Sequence, residues 1–261
     1  MKDNWTVMGI VGALVCVFVS MLLDGGNPAV LMKPSPLVLV FGGTFFAATA
    51  GYMKSDLKGI KVLIKRAMKS DVFEIEVAIQ EIAQLAAIAK SQGILALEKE
   101  SKNIADPFLR RGLELAADGT NSEKIREVLE TEIASTEARH RQGAKLFADM
   151  GGFAPTLGII GTVLGLVHVL GSLNSPGSLG PAIGAAFTAT LWGVLSANLI
   201  WLPISNKLKH ASELEVQMKY MTVEGLLAIQ AGATSRFVRT QMESFLAPQI
   251  REQAEGRGAA A

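Results

Sequence analysis

Met150 to Asn206 is a run of 57 consecutive residues without an Asp, Glu, Lys or Arg. A hydrocarbon core about 30 Å thick is crossed by roughly 20 helical residues, so the run has room for two spans and a turn. The turn is Gly171-Ser172-Leu173-Asn174-Ser175-Pro176-Gly177-Ser178, a cluster of helix-breaking residues. It predicts helices over about 153–173 and 179–205. Two earlier uncharged stretches, Trp5–Leu23 (19 residues) and Pro34–Met53, are ten residues apart and predict a first hairpin. Trp5–Leu23 is longer than the apolar region of a signal peptide and ends Ser-Met-Leu-Leu-Asp, with no small-residue cleavage site. It therefore reads as a retained first span.

The last two predicted spans are rich in small and hydroxylated residues. Gly158, Gly161, Gly165 and Thr162 lie on one; Gly184, Ala185, Ala186, Thr188, Ala189, Thr190, Gly193, Ser196 and Ala197 lie on the other. Helices in lipid have no hydrophobic drive to associate, and small residues let their backbones approach closely. Thr162 and Thr190 either bond the carbonyls of their own preceding turns or line a common path.

Residues 54–149 hold 16 basic and 16 acidic side chains, which predicts a water-exposed domain between the second and third spans. Its pattern is helical. Ile75, Ile79, Ile82 and Ala86 share one face of a helix expected over Asp71–Ala89, with Asp71 as N-cap and Glu74 three residues on. Gly93 stops that helix, Asp106-Pro107 opens another, and Asp118-Gly119-Thr120-Asn121 is a turn. From Ser122 a charged helix with Ile125, Leu129, Ile133 and Thr136 on one side can continue through Met150 into the third span. Lys207 to about Leu246 reads as a further amphipathic helical region, and residues past Gly256 read as disordered. The expected fold class is an all-α integral membrane protein, with four transmembrane helices in two hairpins and a helical cytoplasmic domain between spans two and three. The corresponding segments are 1–53, 54–149, 150–206 and a tail, 207–261.

Charge adds orientation. Lys54, Lys58, Lys61, Lys65, Arg66 and Lys69 oppose only Asp56 after the second span, and Lys207 and Lys209 follow the fourth. The positive-inside rule then puts both termini and the 54–149 segment in the cytoplasm, with Tyr52 and Trp201 near that interface. The whole chain carries a formal net charge of +1, which gives no basic footprint for nucleic acid. Cys16 is the single cysteine, and His140, His168 and His210 have no metal-ligand spacing. No nucleophile motif or phosphate loop is present, so the reading is of a protein that is not an enzyme and takes no metal or other cofactor. Ion movement across a bilayer usually needs an ionisable group within it. These spans contain no Asp, Glu, Lys or Arg, and His168, toward the outer end of the third, is the one titratable candidate, so an ion path here needs a carboxylate from a partner chain.

Four stretches carry a family resemblance: Ala89-Lys90-Ser91-Gln92-Gly93-Ile94-Leu95-Ala96-Leu97-Glu98; Gly158 to His168; Gly193 to Lys207, ending Pro203-Ile-Ser-Asn-Lys; and Glu224 to Gly232 with Ser244-Phe-Leu246. In these the sequence resembles the MotA family of flagellar motor stator subunits, within the MotA/TolQ/ExbB group, over nearly the whole chain. The resemblance implies a ring of subunits, a pentamer, around a MotB dimer whose single span carries an aspartate. It also implies that ion flow past that aspartate turns the ring, whose cytoplasmic part pushes the rotor protein FliG. It assigns rotor contact to Lys90 and Glu98, coupling to Pro176 and Pro203, and the ion path to Thr162 and Thr190. Lys90 stands where the family has Arg, which keeps the charge but loses the bidentate fork, and Ala233-Thr234-Ser235 stands where it often has Asp-Asn-Pro. The coupling ion stays open between H+ and Na+: Thr162 is of the sodium type and His168 of the proton type. The rival readings are a TolQ/ExbB-type energising subunit, a secondary transporter and a non-conducting scaffold. The first typically has three spans and an outside amino terminus, and the second expects repeated halves with broken helices.

Overall fold

The computed structural model describes residues 2–3, 5–57, 59–68, 70–71, 75–171 and 176–246. The chain forms two compact units, Met1–Val72 with His140–Ala211 and Phe73–Arg139 with Ser212–Ala261.

In the first unit, helix α1 is Trp5–Leu23 and α2 is the shorter apolar helix Pro34–Thr49. An Asn27-capped 3-10 turn, Pro28–Met32, precedes α2, and a π turn at Val38–Gly42 interrupts it. Helix α3 is Ile60–Met68. Helix α1 has no buried residue, and Val11, Val15 and Val19 among others are exposed. An apolar surface of that extent belongs against lipid or another chain. A two-residue antiparallel pair, Lys2–Asp3 with Ser70–Asp71, is the only strand pairing among the described residues. It corrects one expectation: Asp71 belongs to this pair and does not cap the next helix, which begins at Ile75. Residues 72–74, including Glu74, lie outside the described residues.

The second unit begins with α4 (Ile75–Gln92), which ends where Gly93 takes φ +84, a conformation natural to glycine. A 3-10 turn at Ile94–Ala96 leads into α5 (Leu97–Ser101), followed by α6 (Pro107–Ala117). The carboxylate of Asp106 caps α6 by accepting from the Phe108 N–H at 3.0 Å. Asn121 caps the next helix through the Glu123 N–H at 2.8 Å. That helix, α7, is Ser122–Gly171, 50 residues without a break, as the sequence pattern predicted; it contributes to both units.

The returning chain is α8 (Pro176–Ser196), a π turn at Ala197–Trp201, and α9 (Leu202–Gln230); α10 (Ser235–Glu243) follows Gly232, which has φ +75. The core of the second unit gathers Ile82, Leu97, Leu113, Ile125, Leu129, Ile133, Leu226 and Met242. Of the predicted faces of α4 and α7, Ile79, Ile82 and Ala86 on one and Ile125, Leu129, Ile133 and Thr136 on the other are buried, while Ile75 is partly buried against the same core. The segment after Ser212, read from sequence as a tail, supplies Met221, Leu226, Val238 and Met242 to this core.

Among the described residues three helices, Trp5–Leu23, Ser122–Gly171 and Leu179–Gln230, are long and apolar enough to cross a membrane.

Candidate functional site

The site is built where α7 and α8 meet. A methyl group added to Gly158 would stand 2.9 Å from the Ala189 carbonyl, 3.0 Å from Thr190 Cα and 3.2 Å from Gly193 Cα. One added to Gly193 would stand 2.7 Å from the Ala154 carbonyl and 3.0 Å from Gly158 Cα. All of these neighbours are backbone, which cannot rotate away. Gly161 and Gly165 repeat the fit against Ala189 and Ala186, whose Cβ atoms would lie 2.6 Å from a methyl at either glycine. The helices touch main chain to main chain, the close approach that small residues permit.

That approach brings two expected site residues together. The hydroxyls of Thr162 and Thr190 are in direct contact. Thr162 Oγ1 also lies 3.1 Å from the carbonyls of both Gly158 and Ala186, and Thr190 Oγ1 lies 3.3 Å from the Gly158 carbonyl. The two hydroxyl protons can fill two of these four contacts at a time, so the group is internally bonded yet keeps oxygen lone pairs. It is a half-buried cluster of neutral oxygens, the kind of ligand that replaces part of the hydration shell of a metal cation. It carries no charge of its own.

The other expected residues fall elsewhere. Pro176 is the first residue of α8, and its side chain and the turn residues 172–175 lie outside the described residues. Pro203 lies in the first turn of α9, two residues past the π segment, where it lines a groove against α1. Lys90, exposed in the last turn of α4, donates from Nζ to the Gly232 carbonyl at 2.7 Å and so caps the end of α9. Glu98 is exposed at the start of α5, and among the described residues no hydrogen bond or ion pair joins it to Lys90. His168 is exposed. Among the described residues no group of three His, Cys, Asp or Glu side chains is placed to hold a metal ion.

Several contacts escaped the sequence. Tyr52 was expected at the interface, and its hydroxyl donates to Asp149 at 2.7 Å, while Lys145 Nζ reaches the same carboxylate oxygen at 2.9 Å. Burial acts to raise the Asp149 pKa, but the bonds from Lys145 and Tyr52 outweigh it and hold the carboxyl below its usual range. The stabilisation from this pair is thus present above the unfolded carboxylate value and fades as pH falls through the folded one. Trp201, also expected at the interface, buries its indole nitrogen without a hydrogen bond and sets its ring 6.3 Å from Phe41. Trp192 Nε1 donates to the Leu31 carbonyl at 2.7 Å, and Lys33 Nζ to the Pro181 carbonyl at 2.9 Å. Both tie the Pro28–Met32 segment and its flank to α8. In the second unit Arg126 pairs with Glu224 at 2.8 Å, and a methyl on Gly225 would stand 2.8 Å from Met242 Sδ and 2.9 Å from Ile82 Cγ2. The Glu224-Gly225 step of the family-like stretch thus joins α9 to α7, α10 and α4. The only local signals for these ties were a lone aromatic or a charge at the edge of an apolar run.

Substituting Gly158 tests the helix contact. Gly158→Ala is expected to destabilise the purified chain by about 1–3 kcal/mol, as overpacking does, and to lower its melting temperature in detergent. Gly152→Ala, where an added methyl meets nothing within 4 Å, should melt no lower than the wild type.

Residues 100–221 match the MotA/TolQ/ExbB proton channel family and residues 7–93 match Motility protein A N-terminal. The chain is 33% identical to Motility protein A of Bacillus subtilis, over 94% of this chain and 91% of that one. It is 31% identical to the chemotaxis protein PomA of Vibrio alginolyticus, over 94% and 95%. Its fold matches the flagellar MotAB stator complex of Bacillus subtilis with a TM-score of 0.91 and 32% identity, covering 96% of this chain and 99% of that one. The C. jejuni MotAB structure matches with a TM-score of 0.90 and 28% identity, over 94% and 96%. This chain belongs to the Motility protein A family, within the MotA/TolQ/ExbB group.

Proposed function

We propose that this chain is a stator subunit of a flagellar motor, which forms with a MotB-type partner an ion channel that couples ion flow to torque on the rotor. The observation that carries the reading is the cluster of neutral oxygens at Thr162 and Thr190, on helices with no Asp, Glu, Lys or Arg from 150 to 206. Such a cluster can replace water around a passing ion but cannot balance its charge. A charge at a helix centre costs about 2.5–3.5 kcal/mol on insertion scales, and here the partner's aspartate would bear that cost.

The finer assignments belong to the same proposal. Four spans form two hairpins, with Pro34–Thr49 as the second span, in a bacterial inner membrane with both termini cytoplasmic; the basic residues from Lys54 to Lys69 and at Lys207 and Lys209 support that orientation. Five copies form a ring around a MotB dimer. Pro176 and Pro203, at the first turn of α8 and just past the π turn, carry coupling, and Lys90 and Glu98 meet the rotor protein FliG. The Lys90 bond to Gly232 fits a cation held in place at the end of a helix.

Expressed alone, the chain should form an oligomer that passes no ions. Reconstituted vesicles should show flux only when a single-span partner with its aspartate is present, and flux from the chain alone would overturn the channel assignment. Lys90→Glu should impair swimming while leaving membrane insertion intact, and a charge reversal in the rotor should restore it. A metal cation needs several oxygen ligands and a proton needs none. Thr162→Ala should therefore abolish sodium-driven rotation but leave a proton-driven motor nearly unaffected, since one intramembrane hydrogen bond is worth about 0.6 kcal/mol. Motor speed measured against sodium concentration decides between them; coincident curves in a sodium-driven motor would make Thr162 a packing residue.

A further inference from the structure

Helix α3 separates its apolar and basic residues onto two faces. Ile60, Leu63, Ile64 and Ala67 share one, which packs on the core of the first unit where Ala144 and Phe147 of α7 are buried. Leu63 fixes the contact, since a methyl on Gly143 would stand 2.8 Å from its Cδ1. Lys61 and Lys65, one turn apart and so on one face, are exposed on the other side, beside a Val62 that is 68% exposed. Lys54, in the short helix Lys54–Leu57 that precedes α3, is exposed as well. Among the described residues none of these three lysines makes a hydrogen bond or ion pair. Asp56, the single acid from Lys54 to Lys69, accepts from the Met53 N–H at 3.1 Å.

Both ends of α3 are held at span ends. The connection 50–59 joins it to the end of α2 at Thr49. Past its other end, Ser70–Asp71 pairs with Lys2–Asp3, immediately before α1, and α3 touches α1 directly. A helix tied at both ends to spans on the same side of a membrane runs along the boundary and does not project from it. Its depth follows from α7. Gly143 precedes Met150, where the uncharged run begins, by two turns, about 10 Å. The headgroup layer is about 5–8 Å deep on each side of the hydrocarbon core, and a lysine stem carries its ammonium that far from the helix that bears it.

Three unpaired cations and an exposed valine, spread along a segment at the boundary, suit a surface of many negative charges. The membrane crossed by the neighbouring spans supplies one. Basic segments beside a span are drawn to anionic headgroups by about fivefold in affinity for each Lys near the surface.

We propose that the face of α3 formed by Lys61, Val62 and Lys65, together with Lys54, docks on anionic phospholipid headgroups at the cytoplasmic boundary. The proposal rests on the four-span orientation given above, not on ion flow or torque.

The test uses the full-length chain in detergent, titrated with phosphatidylglycerol or phosphatidylcholine of matched acyl chains, with retained lipid counted by native mass spectrometry. The wild type should prefer phosphatidylglycerol. That preference should fall about fivefold in Lys61→Gln and about twenty-five-fold when Lys65→Gln is added, one factor for each charge removed. Lys61→Arg with Lys65→Arg should keep it, and Lys124→Gln, the same charge change at an exposed site in the second unit, should leave it unaltered. In sealed vesicles of both orientations, Val62→Cys in a Cys16→Ser background should react with an impermeant maleimide from the cytoplasmic face alone. Reaction from the opposite face would remove the orientation and this proposal with it. Cytoplasmic reaction with an unchanged lipid preference in the double Gln variant would overturn the proposal and leave the orientation standing. Loss of the retained lipid to millimolar inorganic phosphate would overturn it in favour of a free anion, and efficient cross-linking of two copies through Val62→Cys in favour of a protein contact.

Discussion

The membrane part of this protein depends on one contact, the main-chain approach of Gly158 to Gly193. In lipid the tails are as apolar as any leucine, so helices are held by van der Waals fit and by hydrogen bonds. Both come from the same geometry here. Absent side chains at Gly158 and Gly193 let the backbones meet, and only at that separation can Thr162 on one helix reach Ala186 on the other. A single Cβ at the crossing would part the helices and disperse the oxygen cluster. The cluster's neutrality has the same root, since a long charged side chain would neither fit the crossing nor remain there without a partner.

The second unit is held differently. Its core is built from branched and aromatic residues on helices of ordinary amphipathic pattern, where burial from water supplies the drive. Polar ties then fix particular helix ends: Arg126 to Glu224, Asp106 on the start of α6, Lys90 on the end of α9. The Lys90 bond is instructive because charge and position are set by different parts of the chain. The side chain comes from α4, while the carbonyl that fixes it is presented by Gly232 at φ +75, a conformation that β-branched residues avoid.

Much of this was legible because it is local. Uncharged runs gave the limits of α1 to the residue, and the continuity of α7 followed from an amphipathic stripe that leads into an apolar run, a continuity the helix keeps through Gly143, Gly151, Gly152 and Pro155. The small residues of α7 and α8 announced close packing, and the hydroxyls of Thr162 and Thr190 could be placed on facing helices. The rest required distance in sequence. Tyr52 and Asp149 are 97 residues apart and Trp192 and Leu31 are 161 apart, and nothing in either neighbourhood names the other. Asp71 looked like a helix cap because a capping pattern is read from three or four residues. A two-residue pairing with Lys2–Asp3, from the opposite end of the unit's sequence, claims that position instead. The π turns within α2 and after α8 were also invisible; Phe41 in the first packs against Trp192 and against Trp201 in the second, contacts that no periodicity encodes.

The brevity of α2 has a consequence for the surrounding lipid. Pro34–Thr49 rises about 24 Å as a straight helix, short of the ~30 Å hydrocarbon thickness, and a short apolar helix is accommodated by local thinning of the bilayer at a cost that grows with each ångström of mismatch. Its neighbour α1 runs Trp5–Leu23 and is about 28 Å long by the same measure, so in the proposed hairpin the two helices would prefer different bilayer thicknesses. With α2 as the proposed second span, the membrane would bend to the protein, and the protein's energy would become a function of the acyl-chain length of its host.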